Sequence, residues 1–227
     1  MKRIALLLVC NLLVLSAFAQ SEQWSVTGNS TLLNLKNKNL ENVEGSPYLK
    51  EGNFTKGTII KNGKEINNMD LRYNAFHDRV EVLVKEDEVY ETTKSDNIEF
   101  MIDGQLVKAI PYLVRGKVNT GFLFCLSCED GIDLYKRYYK EYLEPETGAT
   151  GYHKDKPARF IEHEELYIKT PEMEYPQALE HSKRKIARQL GGNEDQLTAF
   201  IKSEDLDLKE DIDNIKLVNY YRTIQID

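Results

Sequence analysis

The chain reads as an α+β protein: an antiparallel β-meander, open or partly closed into a barrel, followed by a small C-terminal helical segment. Three observations carry that reading. Short runs of alternating apolar residues fill the stretch from about Ser46 to Lys169, and Asn-Gly and Asp-Gly pairs separate them. Beyond Pro176 the apolar period lengthens to a helical one. Strands and helices do not alternate, which argues against a parallel sheet.

Taken from the N-terminus, Lys2 and Arg3 precede an apolar run from Ile4 to Leu15, and Ser16-Ala17-Phe18-Ala19 closes it. That is the pattern of a secretory signal cleaved after Ala19, so residues 1–19 are expected to be removed. The run is too short to span a bilayer. Cys10 follows Val9 and sits inside the run, which does not fit a lipid-anchor signal. Residues 20–45 read as an extended segment, 46–170 as the antiparallel β domain, and 171–227 as a helical tail packed on it.

Within the β region, Asn62-Gly63 joins Phe54–Ile60 to Ile66–Tyr73, because both turn residues accept positive φ. Val80, Val82 and Val84 alternate with Glu81, Leu83 and Lys85, giving one apolar face and one mixed. The patch Lys85-Glu86-Asp87-Glu88 turns the chain into Val89–Thr92. Ile98, Phe100 and Ile102 alternate likewise, and Asp103-Gly104 returns the chain into Leu106–Ile110. Asp130-Gly131 lies between Phe122–Cys128 and Ile132–Tyr142. Glu144–Pro157, with two prolines and two glycines, reads as a long loop before a strand over Phe160–Ile168.

In the tail, Leu179, Ile186 and Leu190 fall on one helical stripe that Gly191-Gly192 ends. Asn193 with Gln196 resembles a capping box opening a second helix with Leu197, Phe200 and Ile201 on one side. A third helix is expected from Lys209 to Tyr221, with Ile212, Ile215, Val218 and Asn219 at helical spacing.

The formal charge of −7 becomes two units more negative once Lys2 and Arg3 are removed. An acidic surface repels phosphate backbones, so nucleic acid is a poor partner. No second segment is long and apolar enough for a membrane helix.

Among motifs, Cys125-Leu-Ser-Cys128 has redox spacing, but on a regular strand its Cα atoms would lie roughly 10 Å apart and face opposite sides. The expectation is two free structural thiols, with no disulfide and no redox role. No metal site is expected, since zinc would need two further ligands from four scattered histidines. His163, in Glu-His-Glu-Glu, lacks the H-E-x-x-H spacing. His77 beside Asp78 reads as a loop residue. Asp205-Leu-Asp207-Leu-Lys209 begins like a calcium loop but lacks its ligands and glycine. No P-loop, G-x-S-x-G or G-x-G-x-x-G is present, and no cofactor is expected. The aromatic run is the remaining candidate site. Tyr135 and Tyr139 share one strand face and Tyr138 and Tyr142 the other, with Lys136, Arg137 and Lys140 between them, a surface suited to a sugar or a peptide.

The residues Ser46-Pro-Tyr-Leu49, the Asn-Gly hairpin and Leu71-Arg-Tyr-Asn74, followed by "GIDLYKRYYKEYLEP", "KPARF" and "IKLVNYY", resemble a pattern in uncharacterised exported proteins of Bacteroidota. The resemblance covers most of the mature chain. It implies export to the periplasm or cell exterior and a β domain with a helical tail, and it brings no catalytic residues with it.

The expected function is therefore that of a non-enzymatic module of the cell envelope, binding an envelope protein or a ligand. The alternatives are a hydrolase with an unrecognised site, His163 or His77 first, and a carrier of lipid or small hydrophobes in a partly open barrel.

Overall fold

Four two-residue turns set the architecture. Asn62-Gly63, Asp103-Gly104, Arg115-Gly116 and Asp130-Gly131 all have positive φ at both positions, the backbone that matches the twist of a tight hairpin. The computed structural model describes residues 43–86, 88–146, 156–192 and 194–225. The expected secretion signal, Asp87, Gly148, Gly151 and the expected Asn193 cap fall outside the described residues, as does most of the expected extended segment.

The strands are β1 (Val43–Glu44), β2 (Thr55–Lys61), β3 (Lys64–Asn74), β4 (Arg79–Lys85), β5 (Glu88–Glu91), β6 (Ile98–Ile102), β7 (Gln105–Val114), β8 (Lys117–Glu129), β9 (Ile132–Leu143), β10 (Ala158–Lys169) and β11 (Gln177–Ala178). A 3-10 turn, Leu49–Gly52, precedes β2, and α1 (Lys183–Leu190), α2 (Glu194–Ser203) and α3 (Asp211–Gln225) follow the sheet. The fold is thus a largely antiparallel sheet with a C-terminal helical segment.

The sheet runs β1-β10-β9-β8-β7-β6-β2-β3-β4-β5, and β11 pairs with both β10 and β7. That last strand closes β7 to β10 into a ring: it is antiparallel to β10 and parallel to β7. Pro111 fits inside β7 because its side away from β8 lies between the pairing with β6, which stops at Lys108, and the contact with β11 at Leu113.

Three cores result. Tyr112, Leu123, Tyr135 and Tyr167 fill the ring. Ile59, Leu71, Tyr73, Val80 and Val82 from β2 to β4 pack on Phe100, Val107, Phe122 and Phe124 from β6 to β8. Ile132, Leu134, Leu166 and Ile168 are covered by Ile186, Leu190, Leu197, Ile201, Leu217, Val218 and Tyr221 of the helices.

Several elements depart from the expected pattern. Val84 is 45 % exposed because the β4–β5 register shifts between Leu83 and Lys85, and a bulge re-aims the residue it carries. Leu179 is buried ahead of α1 and not in it, donating its N–H to Leu166 O at 2.8 Å. Helix α1 starts later, with Ser182 accepting from Lys185 N. In α3 the buried face is Asn214, Leu217, Val218, Tyr221 and Arg222, while Ile212 is 70 % exposed. The buried asparagine donates to Leu208 O and Glu210 O, so polar anchors rotate the helix away from its apolar period.

The expectation of free thiols is corrected outright. Cys125 and Cys128 form a disulfide with a Cα separation of 6.0 Å. Cys125 pairs with Tyr135 but Ser127 pairs with Leu134, so Leu126 is an inserted bulge residue. The bulge shortens the span and turns both cysteines to the same face, which a period-two count cannot anticipate.

Candidate functional site

A knot around Arg72 is the natural starting point. Tyr48 bridges Asn74, and the Arg72 guanidinium donates to Tyr48 Oη at 2.8 Å and to Gly52 O at 3.2 Å. On its other side Arg72 Nε donates to Glu81 Oε2 at 2.7 Å, and Asn74 Nδ2 donates to Glu81 Oε1 at 3.2 Å. Arg72 and Glu81 are register partners across the β3–β4 hairpin. The residues quoted from Ser46–Leu49 and Leu71–Asn74 therefore meet in space.

This knot braces a rim. Lys50, Glu51 and Gly52 all have positive φ, and Lys50 is tied to Asp103 at 2.9 Å. Two consecutive non-glycine residues in the left-handed region carry a conformational cost that their surroundings must hold in place.

Below the rim lies a cleft of about 690 Å³. It occupies the strip of sheet between the β2–β4 core and the helical tail. Phe124 and Tyr138 form its floor, edge to face with ring centroids 4.9 Å apart, and Ile102 and Leu49 border them. The polar wall comprises Lys140, Glu162, Glu164, Asp103, Lys50, Glu51 and Gln105. Most of its charges are paired: Lys140 bonds Glu162 at 3.0 Å, Lys50 bonds Asp103, and Glu164 bonds Lys136 at 2.7 Å, with Glu51 outside these pairs. Lys136 also pairs with Asp211 at the start of α3, joining the cleft to the tail. Burial alone would lower the Lys136 pKa, but the hydrogen bonds it donates to Asp211 and Glu164 outweigh it and raise the value.

The four candidate tyrosines do not form one surface. Tyr138 lines the cleft. Tyr135 is buried in the ring, its hydroxyl donating to Asp133 at 3.0 Å, and burial followed by that carboxylate pushes its pKa well above the usual phenol range. Tyr139 stacks on His163 at 4.9 Å and donates to Glu165, which also accepts from Tyr167 and Arg137. Tyr142 packs against Phe160. Tyr135 and Tyr139 face one side and Tyr138 and Tyr142 the other, as their β10 partners in the register show.

Of the histidines, His163 Nε2 lies 3.4 Å from Glu141 without an aligned hydrogen bond, and His77 is exposed against Phe76. Asp78 next to it is the busier residue. It accepts from Tyr73 Oη at 2.8 Å, Phe122 N at 3.0 Å and Lys94 at 2.5 Å, pinning the β3–β4 turn onto β8. Neither Arg72 nor Glu81 stands out in the sequence as a site residue, because a charged pair buried across a hairpin carries no periodic signal.

Among the described residues no group of three or more His, Cys, Asp and Glu side chains is placed to hold a metal ion, and no helix is long and apolar enough to cross a membrane. No protein-family model, curated protein or solved structure matches the chain.

Proposed function

We propose that the protein is an exported, non-catalytic binding module of the cell envelope, and that the cleft over Phe124 and Tyr138 holds a saccharide. The observation that carries this reading is the aromatic floor set beneath a polar wall in which both lysines and three of the four carboxylates are already paired. An anion or cation would have to compete with those pairs. A neutral polyhydroxyl ligand uses the spare lone pairs of Glu162, Glu164 and Asp103 and the amide of Gln105, and lays its apolar face on Tyr138. The lining holds two lysines and four carboxylates, which further disfavours phosphate-rich ligands. The ring interior is filled by tyrosine and leucine side chains, which weighs against a carrier of lipids.

The test is a glycan array followed by calorimetric titration of each hit. Wild-type protein is expected to bind, and Tyr138→Ala to lose at least about tenfold in affinity, equivalent to about 1.4 kcal/mol. Absence of any glycan binding would sink the reading. Appearance of cleaved sugar during the titration would favour the hydrolase alternative.

A further inference from the structure

The bulge at Leu126 has two faces, and each is in use. On the ring side Cys125 and Cys128 are half-buried against Tyr112, Leu123, Tyr135 and Tyr167. On the tail side Ser127 receives Arg222, which is only 6 % exposed. Arg222 Nη1 donates to Ser127 Oγ at 2.7 Å and to Asn219 Oδ1 at 2.5 Å, and Nη2 donates to Ser127 O at 3.0 Å and to Ile132 O. Every one of these acceptors is neutral, and the buried Nε has no hydrogen-bond partner. A buried guanidinium held this way depends on the placement of each acceptor, because no carboxylate fixes it.

Register shows why the bulge matters to that seat. With Leu126 inserted, Ser127 lies opposite Leu134 and faces the helices, while Cys128 lies opposite Asp133. In an unbulged strand continuing from Cys125↔Tyr135, Ser127 would face the ring and Cys128 the helices. Two constraints hold the bulge: the Asp130-Gly131 turn and the disulfide. The disulfide closes a loop of four residues, so it removes little chain entropy and its worth is local.

We propose that Cys125–Cys128 is a reducible site, exchanged by a dithiol, whose oxidised state fixes the bulge that seats Arg222 and the C-terminal turns of α3. In the exchange, one thiolate of the dithiol attacks a cysteine Sγ as the Cys125–Cys128 bond breaks. The departing cysteine thiolate takes a proton. The second thiolate of the reductant then resolves the mixed disulfide, and the other cysteine leaves and is protonated. The protein gains two electrons and two protons, and the reductant departs as its own disulfide. Ser127 then loses the tether on either side of it, and Arg222 loses its best-placed acceptors.

Helix α3 supplies its own control, since its first turn is held elsewhere by Asp211 to Lys136. Amide hydrogen exchange of the full chain is measured oxidised, after a small dithiol, and in a Cys125→Ser/Cys128→Ser variant. Reduction is expected to speed exchange at residues 219–225 and at the β8–β9 turn by about tenfold or more, leaving the first turn of α3 and β2–β7 unchanged. Oxidised Ser127→Ala is expected to reproduce the change at residues 219–225. If the double variant does not fold, reduction of wild-type protein decides. The proposal falls if the folded protein yields no titratable thiols under the dithiol. It falls equally if exchange at residues 219–225 is the same in both states, or if the whole sheet opens together.

Discussion

The Arg72 guanidinium lies between the rings of Tyr48 and Phe54, 3.9 and 4.3 Å from their centroids, and meets a Glu81 side chain that is 3 % exposed. Both contacts use the flat faces of the group while its edge reaches three oxygens, Glu81 Oε2, Tyr48 Oη and Gly52 O, which only arginine geometry allows. Removing one partner of a buried ion pair leaves the other charged and unpaired. Arg72→Ala is therefore expected to cost about 3–5 kcal/mol in chemical denaturation. Arg72→Lys keeps the charge but not the fork, and is expected to recover only a minor part. Lys56→Ala, which breaks an exposed pair with Asp70, is the contrast and should cost less than about 1 kcal/mol. Equal effects of the two alanine variants would refute the account of the knot. In the sequence these residues stood out only as a recurring pattern, Tyr48 and Arg72 being 24 positions apart. Their partnership follows from the hairpin register and the left-handed rim, neither of which a one-dimensional reading contains.

Elements were legible wherever turn chemistry is strong. Asn62-Gly63, Asp103-Gly104 and Asp130-Gly131 place three hairpins, and their φ values bear the reading out. The Arg115-Gly116 turn escaped notice because arginine carries no preference for positive φ. Bulges were the systematic failure: register shifts at Asn67–Asn68 on β3, Val84 on β4 and Leu126 on β8 each reverse which face the next residues occupy. Gly57 meets a separate constraint, the close approach of β6. A Cβ there would sit 2.4 Å from Met101 O and 2.8 Å from Leu71 Cδ1, and the carbonyl belongs to the backbone of β6 and cannot swing aside. Gly57→Ala is expected to cost roughly 1–3 kcal/mol, as overpacking a closed site does. An unchanged urea midpoint would show that β2 and β6 do not approach this closely.

At the scale of the whole molecule, one meander wraps the β2–β4 layer over one part of its sheet, seats helices on another, and curls β7 to β10 into a tyrosine-filled ring. This arrangement makes stability sensitive to alkali. Burial, then the carboxylate of Asp78, raises the Tyr73 pKa well above its ordinary 10.0. Burial and then Glu165 act in the same direction on Tyr167, and burial and then Asp133 on Tyr135. Lys136 is raised as well, from 10.5, by the carboxylates that overcome its burial. In each case the folded group keeps its proton above the pH at which the unfolded chain releases it. The native state then binds more protons than the unfolded one, so the free energy of unfolding falls as pH rises. The contribution is intact below about pH 10 and is lost progressively above it, through the raised folded values. Denaturant midpoints are therefore expected to decline once the pH passes about 10. Tyrosinate absorbance should appear in two parts: exposed phenols first, then the buried ones together with unfolding. Tyr135→Phe removes one of the coupled protons and is expected to flatten the decline. A single smooth tyrosinate titration over a constant denaturant midpoint would mean that these hydroxyls are open to solvent and that the ring is not closed.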